Sequence, residues 1–256
     1  MGLEDGGIPV STRWDTPEVA RGFDSYDDLT ERTLGYPAVF EALRLGDPDV
    51  RTVLDFGCGP GKVAERVVTG YGKEVLAVDG SAPMLEIAKS TRPDPRIDYR
   101  LVADAQLPFL GDDAMDMAMS CYVFINIGSV DVISSIVREV YRVLRPGGRY
   151  AILDTNPDTT GIEFTTFRSG DPGRRYERGE QRTVLLRQRA GEDMTLLDFH
   201  WPKESYRQVL TDAGFTSVEM HEPILTSSPD PGHDSGQRRW INEPVHPPFL
   251  VVVGEK

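Results

Sequence analysis

DFGCGPGK, residues 55–62, places three glycines in a turn directly behind the apolar pair Val53-Leu54. Glycines this dense let a backbone turn where no Cβ fits, or pass close to a ligand. A Walker phosphate loop needs four residues between its first glycine and Gly-Lys, then Ser or Thr to hold magnesium. Here three residues separate Gly57 from Gly61-Lys62, and Val63 follows, so that reading fails twice. A dinucleotide loop, Gly-x-Gly-x-x-Gly, fits less badly, but the third glycine comes one residue early and Asp55 stands in front of the turn. A loop for another adenosine-bearing ligand, or a tight turn with no ligand, remains.

Outward from this turn, strand and helix patterns alternate. Apolar runs at 52–56, 74–79, 97–103, 116–120 and 150–154 suit buried parallel strands. Helical patterns fill 62–69, 83–90 and 132–144. Ser81 is a natural N-cap for the second, with Pro83 in its first turn. Arg145-Pro-Gly-Gly should stop the third and turn the chain into the next strand. The series predicts an α/β fold: a mostly parallel sheet with right-handed crossovers and helices on both faces.

The flanks are less regular. Residues 17–45 suggest two helical pieces broken near Gly35-Tyr36-Pro37. After Asp154 a long irregular stretch, 155–181, precedes two strands at 183–188 and 194–199, a helix at 203–213, and short strands at 217–221 and 249–253. A single domain is expected over 1–256, divided into an N-terminal helical cap (1–48), a ligand-binding core (49–154), a pocket-building insertion (155–201), and a last helix with C-terminal strands (202–256).

Composition narrows the function. The 256 residues carry a formal charge of −13, which argues against a nucleic-acid or anionic-membrane partner. MGLEDGGIPV lacks the basic-then-apolar layout of a signal peptide, and no run reaches the roughly 18 apolar residues of a membrane span. The two cysteines, Cys58 and Cys121, sit in no metal-ligand spacing. A cytoplasmic, reduced protein without a metal, monomeric or homodimeric, is expected.

The motif order resembles a known family. Asp-x-Gly-x-Gly-x-Gly at 55–61 resembles the first motif of class I S-adenosylmethionine (SAM) methyltransferases, and VLAVDGSAPML (75–85), VADAQLPF (102–109), AMSCYVF (118–124) and EVYRVLRPGGRYAILD (139–154) follow in family order. The resemblance implies a Rossmann-like fold with a seven-stranded sheet, and binding of SAM and its product S-adenosylhomocysteine. Carried over by position, it implies that Gly57 and Gly59 pass the methionine half, with Asp55 orienting the loop or touching ligand. Asp79 and Gly80 would meet the ribose, Met84 the adenine face, Asp104 and Ala105 the adenine edge, and Cys121 and Tyr26 the methionine portion.

The acceptor is less legible. The nucleic-acid and protein-glutamine methyltransferases of this fold carry a Pro-Pro-aromatic run after the fourth strand; Ser120-Cys-Tyr-Val-Phe has neither proline. Asp154-Thr-Asn156 is a tempting magnesium pair, but the companion acids are not evident. DTNPDT (154–159), FHWPKESYRQVLTDAGF (199–215) and VHPPF (245–249) are similar to small-molecule methyltransferases of bacterial secondary metabolism, such as toxoflavin-pathway N-methyltransferases. N- or O-methylation of a small aromatic or heterocyclic metabolite is therefore expected. A methyltransferase-fold cyclase and a SAM-binding assembly subunit are the alternatives. His200, as a base or a substrate ligand, and Tyr122 are the catalytic candidates; Tyr26, Asn126, Asn156, Phe167, Trp201 and Trp240 are the acceptor-binding ones. The proline-rich stretch 223–247 is expected to form a lid through Trp240.

Overall fold

The computed structural model describes residues 12–226 and 240–256. Its centre is a seven-stranded sheet in the order β3-β2-β1-β4-β5-β10-β9. The strands are β1 (Thr52–Phe56), β2 (Glu74–Asp79), β3 (Ile97–Leu101), β4 (Met115–Cys121), β5 (Leu144–Thr155), β9 (Thr216–His221) and β10 (Phe249–Glu255). All pairings from β3 to β5 are parallel; β10 runs antiparallel to both neighbours. The expected mostly parallel α/β fold is the one observed.

Adjacent strand residues point to opposite faces, and both faces are covered. Val53, Met117, Leu153 and Val251 join one core with residues of α2 (Tyr36–Ala42), α3 (Lys62–Tyr71) and α4 (Ala82–Thr91). Leu54, Ala118, Ile152 and Val252 join the other with residues of α5 (Val130–Val143) and α6 (Lys203–Ala213). The near-continuous apolar runs of β1 and β10 follow from this two-sided burial.

Three local expectations are corrected. Arg145-Pro-Gly-Gly does not separate α5 from its strand: β5 starts at Leu144, and the four residues bulge where pairing jumps from Met115↔Leu144 to Met117↔Arg149. The chain does not break at Gly35-Tyr36-Pro37 either. Residues 29–42 are continuously helical, with a π-helical turn at Glu31–Gly35 in which the Tyr36 N–H reaches the Glu31 carbonyl. Finally, the region after Asp154 is not wholly irregular. It supplies β6 (Phe167–Ser169), which pairs with β7 (Gln181–Leu186), itself paired with β8 (Met194–Phe199), in a small antiparallel sheet. The first helix, α1 (Pro17–Ser25), is joined to this sheet by a bridge between Tyr26 and Gln188.

Candidate functional site

Strand order reverses between β1 and β4, and in open α/β sheets ligands lodge beyond the carboxyl ends of strands at such a point. A cavity of about 510 Å³ lies there. The loop after β1 forms its floor. Gly57 has φ +81°, and a Cβ on it would stand 2.4 Å from the Val123 side chain, so no other residue fits. The Gly59 N–H donates to Asp79 Oδ2 at 2.7 Å, which ties the glycine loop to the end of β2. Asp79 Oδ1 accepts from the Ser81 N–H at 2.7 Å. Ser81 caps α4 as expected, accepting from the Met84 N–H at 3.3 Å.

The cavity wall brings together most of the residues expected around SAM: Gly57, Gly59, Asp79, Gly80, Met84, Asp104, Ala105 and Cys121. Asp55 is not in the wall. It lies buried under the loop, its Oδ2 has no hydrogen-bond partner, and burial followed by the nearby Asp79 pushes its carboxyl up to about 7. Burial also raises Asp79, against the pull of its backbone N–H partners. Both carboxyls thus stand where a bound cation or a set of hydroxyl donors would stabilise the ionised form.

A second, tighter cavity of about 40 Å³ adjoins the first, and Trp14, Phe23, Tyr122 and Asn126 line both. Its other walls are Tyr26, Ile125 and Phe167, with Val184, Leu186 and Leu196 from the small sheet. Two acids face this apolar space. Glu31 and Asp198 are each 3% exposed. Burial raises Glu31 to about 8 and Asp198 to about 7, the latter against the pull of Arg182. Tyr122 stands at the junction with φ +60°, a conformation rare for a bulky residue, and its buried hydroxyl has no partner.

Tyr26 therefore belongs to the second cavity rather than the first; Phe167 also lines the second, and Asn126 lines both. Besides Asp55, four expected residues line neither: Asn156, His200, Trp201 and Trp240. The Asn156 amide donates to Glu222, and its carbonyl accepts from the Asp158 N–H. Its neighbour Asp154 is fully buried and accepts from the Tyr206 hydroxyl at 2.9 Å. His200 stands 3.4 Å from Arg182, and burial, reinforced by that guanidinium, lowers it to about 4. A neutral, weakly basic imidazole outside the cavities is not placed to take a proton from an acceptor. The Trp201 indole N–H is shared by the Phe124 and Ile127 carbonyls, each at 3.1 Å, and so fixes the turn that carries Asn126.

The expected lid lies partly outside the described residues. Trp240 itself packs against the core, and the following segment is pinned by buried Glu243, which accepts from the Ile241, Asn242 and Thr165 N–H groups. At the other end of the chain, Trp14 lines both cavities. Trp14 donates its indole N–H to Asn126 Oδ1 at 3.1 Å, accepts from the Ser81 hydroxyl through its carbonyl at 2.6 Å, and meets Phe23 edge-on.

Sequence reasoning did not single out Glu31 and Asp198. Strand period two puts Asp198 on the same face as apolar Leu196, and a carboxylate in an inward register was a readable signal. Glu31 precedes Leu34 by three residues, the spacing of one helix face, but the π turn could not be foreseen. Among the described residues, no three His, Cys, Asp or Glu side chains gather closely enough to hold a metal ion. Nor, among them, is any helix long and apolar enough to cross a membrane.

Comparison with known proteins agrees with this geometry. Residues 53–148 match a family described as a methyltransferase domain. The chain is 37% identical over 250 residues to N-demethylindolmycin N-methyltransferase of Streptomyces griseus, covering 96% of this chain and 99% of that protein. It is 34% identical over 193 residues to the ubiquinone/menaquinone biosynthesis C-methyltransferase UbiE of Desulfotalea psychrophila, covering 73% and 74% of the two chains. Among solved structures, a candidate SAM-dependent methyltransferase from Listeria monocytogenes superposes with a TM-score of 0.58 at 25% identity, over 88% of this chain and 99% of that one.

Proposed function

The chain belongs to the SAM-dependent methyltransferases, and on that premise we propose that it methylates a nitrogen of a small heterocyclic metabolite, with the larger cavity holding the methyl donor and the smaller one, widened as its walls part, receiving the acceptor's reacting end. The observation that carries this reading is the shared wall. Trp14, Phe23, Tyr122 and Asn126 border both cavities, so a methyl group presented from one side meets a nucleophile held on the other. The Streptomyces griseus relative is similar over nearly the whole chain, cap and small sheet included, and its name describes an N-methylation.

Bound SAM supplies an electrophilic methyl on a sulfonium. The protein's residues would hold, align and shield. Asp79 has acceptor capacity left for ribose hydroxyls beyond its two backbone bonds, and the positive-φ glycines leave room for the methionine half. Asp55, with an unpartnered buried oxygen beneath the loop, suits the neighbourhood of the α-ammonium. Displacement at the methyl demands collinear partners and little water. The apolar walls of the second cavity exclude water, and Tyr122 and Asn126 at the junction present polar groups for orientation.

Mass spectrometry of products formed from methyl-labelled SAM tests this. N-demethylindolmycin and a panel of amino-heterocycles, phenols and quinols would serve as acceptors. Label on nitrogen is the expected outcome; label only on oxygen or carbon, or no transfer to any of them, would overturn the reading.

A further inference from the structure

We propose that Glu31 is the proton acceptor of the methyl-transfer step, and that it selects acceptors whose reacting nitrogen bears a hydrogen. This rests on the nitrogen-methylation reading above. Glu31 sits on the π-helical turn, an arrangement that adds a residue to the turn and is found disproportionately at functional sites. The turn places a carboxyl in an apolar cavity among Tyr26, Ile125 and Phe167, where a structural role would be better served by an apolar side chain.

Its surroundings suit proton exchange. Glu31 Oε2 lies 3.3 Å from the Thr166 hydroxyl, which is also 2.8 Å from Thr30, whose own hydroxyl donates to Glu243. Asp28 is the negative charge acting on it and Lys62 the positive one. The phenols of Tyr26, Tyr36 and Tyr122 complete the titratable groups around it. Asp198, across the cavity, differs in having the Arg182 guanidinium to oppose the effect of burial, and it is better suited to holding a donor group of the acceptor.

The step balances without a further reagent. The nitrogen lone pair forms the N–C bond as the C–S bond breaks, and that pair goes to sulfur, which becomes a neutral thioether. The nitrogen, now cationic, gives its proton to the Glu31 carboxylate and keeps the N–H electrons. Burial leaves Glu31 mostly protonated near neutral pH in the free protein. A sulfonium in the adjoining cavity favours the carboxylate, so the base is formed when the methyl donor binds.

Calorimetry at pH 7 in buffers of different ionisation enthalpy tests this without any acceptor. SAM carries the sulfonium and S-adenosylhomocysteine does not, while both carry the same amino acid and nucleoside. Binding of SAM should release up to about one proton more than binding of S-adenosylhomocysteine, and Glu31→Gln should abolish the difference while Asp198→Asn retains most of it. Equal release for the two ligands in the wild type, or an unchanged difference in Glu31→Gln, would overturn the proposal. In turnover, Glu31→Gln should lower kcat by about 10²–10⁴-fold, weaken SAM by up to about tenfold as the counterpart of the lost proton release while leaving S-adenosylhomocysteine within about threefold, and remove the acidic limb of the pH profile; Glu31→Asp should restore part of the rate. Retained kcat with the same pH profile would also overturn it. A wild type that methylates no amine, by contrast, refutes the nitrogen reading itself.

Discussion

The Trp14 indole N–H and the Asn126 side-chain carbonyl meet at 3.1 Å and join the segment ahead of α1 to the turn after β4. Both residues border both cavities, so this bond lies at the junction where, on the proposed reading, methyl donor and acceptor face one another. Trp14→Phe keeps an aromatic cover and removes one neutral hydrogen bond, worth about 0.5–1.5 kcal/mol, so catalytic efficiency should fall by no more than about tenfold. Trp14→Ala should cost considerably more and raise KM for SAM as well. Steady-state kinetics with each substrate varied would check the order; equal effects of the two changes would refute it.

Asp79 should dominate donor affinity. Charge-assisted hydrogen bonds are worth roughly 1.5–3 kcal/mol each, and this carboxylate also anchors the glycine loop through the Gly59 N–H. Asp79→Ala is expected to weaken S-adenosylhomocysteine by at least about tenfold, with Asp79→Asn intermediate. Calorimetric affinities that do not change would remove Asp79 from the ribose.

Gly57→Ala should fail in the same assay for a different reason. A left-handed conformation costs an alanine roughly 1–2 kcal/mol, and the new methyl would sit 2.4 Å from Val123, itself in the cavity wall. A lower melting temperature together with weaker SAM binding is expected. Wild-type values for both would show that the loop can adopt another path.

Stability should fall as pH rises. Glu31 and Asp198 have ordinary values of 4.5 and 3.8 but stand at about 8 and about 7 in the fold. Between those limits the unfolded chain binds fewer protons than the folded one, so the stabilisation present below about pH 4 is lost progressively up to about pH 8. Removing the titration by Glu31→Gln should flatten the upper part of this slope. Melting curves from pH 5 to 9 would show it, and parallel slopes for variant and wild type would count against the raised value.

His200 and Trp240 supply the contrast. Both lie outside the cavities, so His200→Asn should leave the pH profile of turnover in place, and Trp240→Ala should leave KM for either substrate within about threefold. A lost titration limb in the first, or a large acceptor effect in the second, would return them to the site.

The SAM half was legible because a continuous apolar run buried on both faces and a glycine turn behind it are local properties. Val53-Leu54 followed by Gly57, Gly59 and Gly61 announces both the strand and the crevice beyond it. The acceptor half was not, because it is assembled from distant pieces. Glu31 reaches the cavity through a π turn that no periodicity signals, and Asp198 through an antiparallel sheet whose first strand, β6, lies in a glycine- and arginine-rich stretch. His200-Trp201 looked functional for its residue types, yet those two side chains are consumed by Arg182 and by the carbonyls of the 124–127 turn.

The small sheet of β6, β7 and β8 supplies Phe167, Val184, Leu186, Leu196 and Asp198 to the wall of the second cavity and no residue to that of the first. It meets the body along α1 and the residues just after it, where the Asp27 N–H donates to the Arg187 carbonyl, Gln188 to the Gly22 carbonyl and Arg189 pairs with Asp28. It meets the body again along 155–163, where Arg182 bonds Thr155 and Thr160 and Arg187 pairs with Glu163. On the reading proposed above, substrate choice is written largely on one contiguous stretch of gene. Exchanging that stretch between relatives, with its junctions to α1 and to 155–163 preserved, is then a direct route to enzymes that keep the methyl donor and change what receives it.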